Sequence, residues 1–124
     1  MNLYDNNNYL EDVSRVSNEV LPWDKLRNKN ILITGATGLI GSFLIDVILQ
    51  NNIKNNLNCK IYALGRNKEK AAKRFSNYFN DENLIFIPYD IKKPLMIENI
   101  ETVDYILHLA SNTHPYLYST DPVG

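Results

Sequence analysis

A short apolar run followed by three glycines constrains the fold more than any other feature of this chain; it reads ILITGATGLIG from Ile31 to Gly41. An uninterrupted apolar run of this kind is typical of a parallel β-strand that is covered on both faces. Apolar residues continue at helical spacing from Leu39 to Leu49, which predicts a helix directly after the glycines. Backbone N–H groups in such a turn can approach a phosphate group at the positively polarised helix N-terminus. The motif therefore predicts the first strand–turn–helix unit of a nucleotide-binding α/β fold.

The spacing of the three glycines, GxxGxxG, gives each of them a different task. Gly35 permits a sharp exit from the strand, Gly38 leaves room for a pyrophosphate, and Gly41 lets the helix pack closely against the strand. A purely structural turn is the alternative, but the position between a strand and a helix in a βαβ unit favours nucleotide binding. The candidate phosphate donors are the hydroxyl of Thr37 and the backbone amides of Leu39 and Ile40.

Further apolar runs predict three more strands that alternate with helices. Such alternation implies right-handed crossovers and a parallel sheet. We therefore expect part of a Rossmann-like, doubly wound α/β fold, with four strands in the spatial order 3-2-1-4. The predicted elements are strands at Lys60–Leu64, Leu84–Ile87 and Asp104–Leu109, a helix at Lys68–Phe79, a loop at Gln50–Asn58, a helical turn at Pro94–Ile100 and a helix from about Tyr116.

Residues 1–29 are predicted to form a helical extension in front of the α/β domain, which covers residues 30–124. Apolar residues at helical spacing predict a helix over Tyr9–Val20, and Pro22 is expected to end it. Trp23 and Leu26 are expected to pack this extension against the domain.

Composition excludes several classes of function. The chain has 13 basic and 14 acidic residues and a net charge of −1, so nothing indicates a nucleic-acid partner. One cysteine and two histidines provide neither a disulfide nor a metal site. No signal peptide or membrane-spanning run is evident, and a reduced, cytoplasmic location is the simplest expectation.

The stretch TGATGLIG, Thr34 to Gly41, resembles the TGxxGxxG motif of extended short-chain dehydrogenases/reductases. More specifically, the chain resembles the NAD-dependent epimerase/dehydratase family of nucleotide-sugar enzymes. Asp90 follows the third strand, His108–Ser111 resembles the family's H-x-A-[AGS] at the end of the fourth strand, and Asp121-Pro122 fits the start of the next helix. The resemblance covers the chain from about Asn30 to its last residue.

This resemblance implies a nicotinamide dinucleotide cofactor. In the family, the residue at Asp90 hydrogen-bonds adenine, and the end of the fourth strand passes beneath the nicotinamide side. NAD-specific members usually have an acidic residue at the end of the second strand. This chain has Gly65 there, followed by Arg66, so NADP is favoured over NAD, although Arg66 could instead be a solvated residue. The predicted cofactor contacts are Gly35, Thr37, Gly38, Leu39, Ile40, Gly41, Arg66, Asn67, Asp90, Ile91, Leu109, Ala110, Ser111 and Thr113.

The family's catalytic Tyr-x-x-x-Lys pair and its Ser or Thr partner belong beyond the fourth strand, so no catalytic residue is predicted in this chain. Tyr89 and Lys93 have the right spacing, but Pro88 and Pro94 flank them and prevent the helix that would align them. His108 is expected to be a hydrogen-bonded core residue rather than a base, and His114 to lie in a loop near the cofactor's ribose.

The resemblance implies the cofactor-binding, N-terminal portion of a nucleotide-sugar epimerase, dehydratase or decarboxylase, whose full-length form transfers a hydride at a sugar carbon. A reductase of a small carbonyl compound and a non-catalytic cofactor sensor are the alternatives, because the fold does not determine the chemistry.

If these 124 residues were the whole polypeptide, the fourth strand would form an exposed edge of the sheet. We therefore expect either a fragment of a protein about two to three times longer or a homodimer that covers this edge.

Overall fold

Four short parallel strands form one sheet in the part of the chain that the structure describes. The structure, a computed structural model, describes residues 2–89 and 102–109. The strands are β1 (Asn30–Thr34), β2 (Lys60–Gly65), β3 (Leu84–Pro88) and β4 (Tyr105–His108), and the helices are α1 (Asn7–Ser17), α2 (Leu39–Asn55) and α3 (Lys68–Arg74), with 3₁₀ turns at Leu3–Asp5 and Trp23–Leu26.

The strands lie in the order β3-β2-β1-β4, and each pair is parallel. In this register Leu32 of β1 lies between Tyr62 of β2 and Ile106 of β4. The order confirms the predicted 3-2-1-4 topology of a Rossmann-like sheet. Because all four strands run in the same direction, the carboxyl ends of β1, β2 and β4 meet at one edge, which is where ligands bind in such sheets.

The core divides between the two faces of the sheet. Alternate residues of β1 and β2 point toward α2, and the remaining ones, among them Leu32 and Tyr62, form a second cluster on the opposite face. Trp23 and Leu26 pack against the larger cluster, as predicted. Each fully buried large apolar side chain contributes roughly 1.5–3 kcal/mol relative to an exposed one. The larger cluster consists of Ile31, Ile33, Ala36, Ile45, Ile48, Leu49, Leu57, Cys59, Ile61, Ala63, Ala71, Phe75 and Leu84.

The prediction of a loop at Gln50–Asn58 is wrong, because α2 continues to Asn55. Two asparagines in that stretch are buried and hydrogen-bonded rather than solvated. The side-chain amide of Asn52 donates to the Cys59 carbonyl and its oxygen accepts from the Cys59 amide, both at 2.9 Å. Asn51 donates to the Val47 carbonyl at 3.2 Å. The helix ends where Asn56 adopts a left-handed conformation, with φ of 54°.

Two predicted helices end early. Helix α1 stops at Ser17 rather than at Val20, which is fully exposed, and Lys54 of α2 donates to the Asn18 side chain at 2.9 Å beside this terminus. Helix α3 stops at Arg74, because Phe75 leaves the helical region to insert into the core, and turns follow to residue 80. The expected helical turn at Pro94–Ile100 and the helix near Tyr116 lie outside the described residues.

Candidate functional site

The turn between β1 and α2 is tied to the neighbouring strand. Gly35 has a φ of 67°, a left-handed conformation that a side chain would strain, and the chain reverses sharply there as expected. The Ala36 amide then donates to the Leu64 carbonyl of β2 at 3.2 Å, and the Gly38 amide donates to the Gly35 carbonyl at 3.0 Å. These bonds hold the turn at the carboxyl edge of the sheet.

Gly41 allows the first turn of α2 to lie directly on the glycine turn. A Cβ atom at this position would come within 2.4 Å of the Gly35 carbonyl oxygen, too close for any side chain. At Gly38 the same oxygen would be 3.2 Å from a Cβ atom, which is tight but not prohibitive. The close approach predicted for Gly41 is therefore present, and it is made with the backbone that leaves β1.

The N-terminus of α2 is open. Gly38 is the N-cap residue and makes no side-chain capping hydrogen bond. The side chains that follow it are exposed, Leu39 at 88% and Ile40 at 65%. The first N–H groups of a helix have no partner within the helix, so this 17-residue helix offers donors and the positive end of its dipole to an anion.

The end of β2 lies beside this turn. A Cβ atom on Gly65 would be 4.0 Å from the Thr37 methyl group, so the two predicted cofactor-binding segments are adjacent. Arg66 is exposed. The side-chain oxygen of Asn67 accepts from the Lys70 amide at 3.0 Å and caps α3, so this atom already has a structural role.

The ends of β1 and β4 are joined by a side-chain hydrogen bond. Thr34 Oγ1 lies 2.9 Å from His108 Nδ1. His108 is thus hydrogen-bonded as expected, but the expectation that it is a core residue is wrong, because it is exposed. Within the described residues β4 pairs with β1 alone, so its other edge has no strand against it. Leu109 is half-buried and packs against the larger core cluster.

The remaining predicted contacts, namely Asp90, Ile91, Ala110, Ser111 and Thr113, lie outside the described residues, as do Lys93 and His114. Tyr89 is half-buried beside the second core cluster, and its amide donates to the Gly65 carbonyl at 2.8 Å. It therefore extends the β2–β3 pairing.

Other features of the described residues do not form a second reactive site. They contain no cluster of three potential metal ligands and no helix long and apolar enough to cross a membrane. Burial and the nearby Asp104 carboxylate raise the pKa of the Cys59 thiol to about 11, which keeps this thiol protonated and unreactive. A cavity of about 250 Å³ lies between α1 and α2 rather than at the glycine turn.

One buried charge on α2 is not part of the predicted site. Asp46 lies on α2 with its side chain 1% exposed and pairs with Arg74 of α3 at 2.9 Å. A single aspartate in the apolar run Phe43–Leu49 is the sequence signal that could have identified it, since a buried carboxylate requires a partner.

The sequence profile of the NAD dependent epimerase/dehydratase family matches residues 31–124. UDP-glucuronic acid decarboxylase 6 of Arabidopsis thaliana is 33% identical over 96 residues, which cover 77% of this chain and 25% of that protein. UDP-glucuronic acid decarboxylase 1 of Danio rerio is 33% identical over 95 residues, which cover 77% of this chain and 20% of that protein. The X-ray structure of Pen from Bacillus thuringiensis matches with a TM-score of 0.55 and 23% identity, over 79% of this chain and 29% of that one.

The chain thus spans a quarter or less of the length of these two relatives. The structural match, at 23% identity, supports the fold. The family match begins in β1 and includes the glycine turn, the end of β2 and the end of β4, the three segments that meet at one edge of the sheet. The chain therefore belongs to the NAD dependent epimerase/dehydratase family.

Proposed function

We propose that this chain is the cofactor-binding, N-terminal portion of an enzyme that transfers a hydride at a carbon of a nucleotide sugar. The observation that carries the proposal is the open, uncapped N-terminus of α2. This terminus lies directly against Gly35, because Gly41 has no side chain to keep the two apart. A dinucleotide's pyrophosphate is the ligand that suits such a turn, because the backbone donors can approach it closely.

The residues of the turn bind and orient the cofactor. The amides of Leu39 and Ile40 and the hydroxyl of Thr37 donate to the pyrophosphate, and Gly38 leaves space for it. The loop after β2, with Arg66 and Asn67, lies at the adenosine side. A bound nicotinamide dinucleotide would supply the acceptor for the hydride of the sugar carbon.

The substrate class rests on the relatives. Two of them are named UDP-glucuronic acid decarboxylases, and the family name includes epimerases and dehydratases. We infer a nucleotide sugar as the substrate of the full-length protein and expect its catalytic Tyr-x-x-x-Lys pair beyond β4. The 124-residue chain by itself is expected to bind the cofactor without turnover.

For the cofactor we favour NADP over NAD. The position after β2 has no carboxylate to repel a 2′-phosphate, and the exposed Arg66 guanidinium can form a charge-assisted, bidentate contact with it. Such a contact is worth about 1.5–3 kcal/mol, or roughly 10- to 100-fold in affinity.

Calorimetric titration with NADP and NAD in parallel tests both parts of the proposal. Arg66→Ala is expected to weaken NADP binding roughly 10- to 100-fold and to leave NAD binding nearly unchanged. Lys73→Ala, which removes an exposed cation on α3 rather than in the loop after β2, is the matched control and should bind as the parent chain does. Equal or tighter binding of NAD by the parent chain would overturn the preference for NADP. Failure to bind either dinucleotide would overturn the proposed function.

A further inference from the structure

A buried ion pair connects the two helices that follow the candidate cofactor-binding segments. Asp46 lies in the third turn of α2, and Arg74 is the last residue of α3. The Arg74 Nη2 atom lies 2.9 Å from Asp46 Oδ2, and the two side chains are 14% and 1% exposed. Because both charges are largely removed from water, each depends on its remaining hydrogen-bond partners.

Those partners come from the first nine residues. The Tyr4 hydroxyl donates to Asp46 Oδ1 at 2.6 Å, and the Tyr9 hydroxyl donates to Asp46 Oδ2. Arg74 in turn donates to both tyrosine oxygens. Its guanidinium carbon also lies 5.7 Å from the Tyr4 ring centre and 5.3 Å from that of Tyr9, within the range of cation–π attraction. The two tyrosines therefore surround the ion pair and complete its hydrogen bonding.

The chemistry of these tyrosines matches this role. Burial, with the hydrogen bond and negative charge of Asp46, raises the pKa of both Tyr4 and Tyr9 well above the ordinary value. Both hydroxyls consequently remain protonated donors at neutral pH. Their rings are also packed, Tyr4 against Tyr78 at 5.6 Å and Tyr9 against Phe43 at 6.0 Å between ring centres.

The cluster links the two halves of the proposed cofactor site. Helix α2 leads back from Asp46 to the glycine turn, and α3 leads back from Arg74 to Arg66 and Asn67. A dinucleotide has to contact both segments at once, so its affinity depends on the distance between them. A ligand that contacts one segment alone is insensitive to that distance.

We infer that Tyr4 and Tyr9 are positioning residues for dinucleotide binding: by completing the Asp46–Arg74 pair, they hold the glycine turn and the loop after β2 at the separation that one dinucleotide spans. This inference rests on the proposed function. It assigns the N-terminal segment a role in the site, although neither tyrosine lies at the sheet edge where the cofactor is proposed to bind.

The test compares ligands that span the two segments with ligands that do not. The double substitution Tyr4→Phe with Tyr9→Phe removes two hydroxyls and keeps both rings. The preferred dinucleotide, inorganic pyrophosphate and adenosine are titrated separately against the 124-residue chain, with binding followed by amide chemical shifts at 25 °C. We expect the double variant to bind the dinucleotide about tenfold more weakly, a loss of affinity that corresponds to the free energy of one hydrogen bond. We expect it to bind inorganic pyrophosphate and adenosine as tightly as the parent chain does.

Tyr78→Phe is the matched control, since it removes a neighbouring tyrosine hydroxyl whose partner is Gln50 rather than Asp46. It should bind all three probes normally. If the double variant does not fold, the single variants Tyr4→Phe and Tyr9→Phe test the inference by the same comparison of dinucleotide affinity with the affinities of the two small probes.

Three results would overturn the inference. Unchanged dinucleotide affinity in folded variants would show that the tyrosines do not position the site. A parallel loss for all three probes would indicate general destabilisation. If the parent chain binds no dinucleotide, the proposed function fails and the inference fails with it, whereas the first two results leave that function intact.

Discussion

At the scale of single residues, the glycine turn depends on two positions with different requirements. Gly35 is needed for its φ of 67°, and Gly41 is needed because a Cβ atom there would meet the Gly35 carbonyl oxygen at 2.4 Å. The first requirement concerns the conformation of the turn and the second the packing of α2 on it. Both follow from backbone geometry, which explains why the motif itself was sufficient to predict them.

Gly41→Ala is expected to destabilise the chain by about 1–3 kcal/mol, because the backbone oxygen in contact cannot move as a side chain can. This net loss already includes the gain of at most about 1 kcal/mol that alanine brings to a helix, which is smaller in the first turn than in the interior. Urea denaturation followed by circular dichroism measures the difference.

Gly65→Ala is the control for this substitution. Its Cβ atom would lie 3.2 Å from Cε2 of the Phe86 ring, a side chain that can shift. We expect a smaller loss than at Gly41. An equal or greater loss at Gly65 would contradict the argument that backbone contact determines the cost.

At the scale of elements, α2 shows how tertiary contacts extend a helix beyond its apolar segment. The polar stretch Gln50–Asn55 favours a loop in isolation, since asparagine competes for backbone hydrogen bonds. In the structure Asn52 instead pairs with both backbone groups of buried Cys59 and joins the end of α2 to the start of β2. The helix therefore continues for six residues, Gln50–Asn55, past the predicted end.

Asn52→Ala is expected to cost about 1–3 kcal/mol, because the amide and carbonyl of Cys59 lose their partner in a buried position. Asn8→Ala, which removes an exposed asparagine side chain on α1, should change stability by less than about 0.5 kcal/mol. Thermal and urea unfolding of both variants provide the comparison, and equal effects would show that the bridge to Cys59 does not hold α2 in place.

At the scale of the whole molecule, β4 leaves apolar surface exposed at the edge of the described sheet. Tyr105 is 42% and Ile106 64% exposed, and within residues 2–89 and 102–109 β4 pairs with β1 on one side alone. An exposed strand edge with apolar side chains favours association with another chain. The relatives are about four to five times longer than the segment that matches this chain.

We expect the 124-residue chain, prepared by itself, to self-associate, with an apparent mass above that of a monomer in light scattering. Ile106→Lys should shift the chain toward the monomer, because it adds a charge next to the exposed edge. Ile53→Lys is the matched control, since Ile53 is equally exposed, at 63%, but lies on α2. A monomeric parent chain, or equal effects of the two lysines, would contradict the role of β4.

Most of the fold could be predicted from periodicity. Each predicted strand agrees with the observed one to within one residue at either end; the predicted strand Asp104–Leu109, for example, is one residue longer than β4 at both ends. Helix ends were predicted less well, because they depend on tertiary contacts: Lys54 contacts the end of α1, α2 is extended by the pairing of Asn52 with Cys59, and α3 ends where Phe75 enters the core. Among the predicted site residues, Gly35, Thr37, Gly38, Gly41 and Arg66 come together around the ends of β1 and β2, while their contacts to a cofactor remain predictions.

The amino-acid sequence by itself determined the parallel sheet, its strand order and the glycine turn, because strand burial and backbone geometry depend on residues close together in the chain. It also indicated the family to which the chain belongs. Only the tertiary structure decided the partners of Asp46, since Tyr4 and Arg74 lie 42 and 28 residues away from it. The same holds for the end of α2 and for the exposure of His108. These features depend on how the segments pack against one another, and that packing exists only once the sheet and helices have assembled.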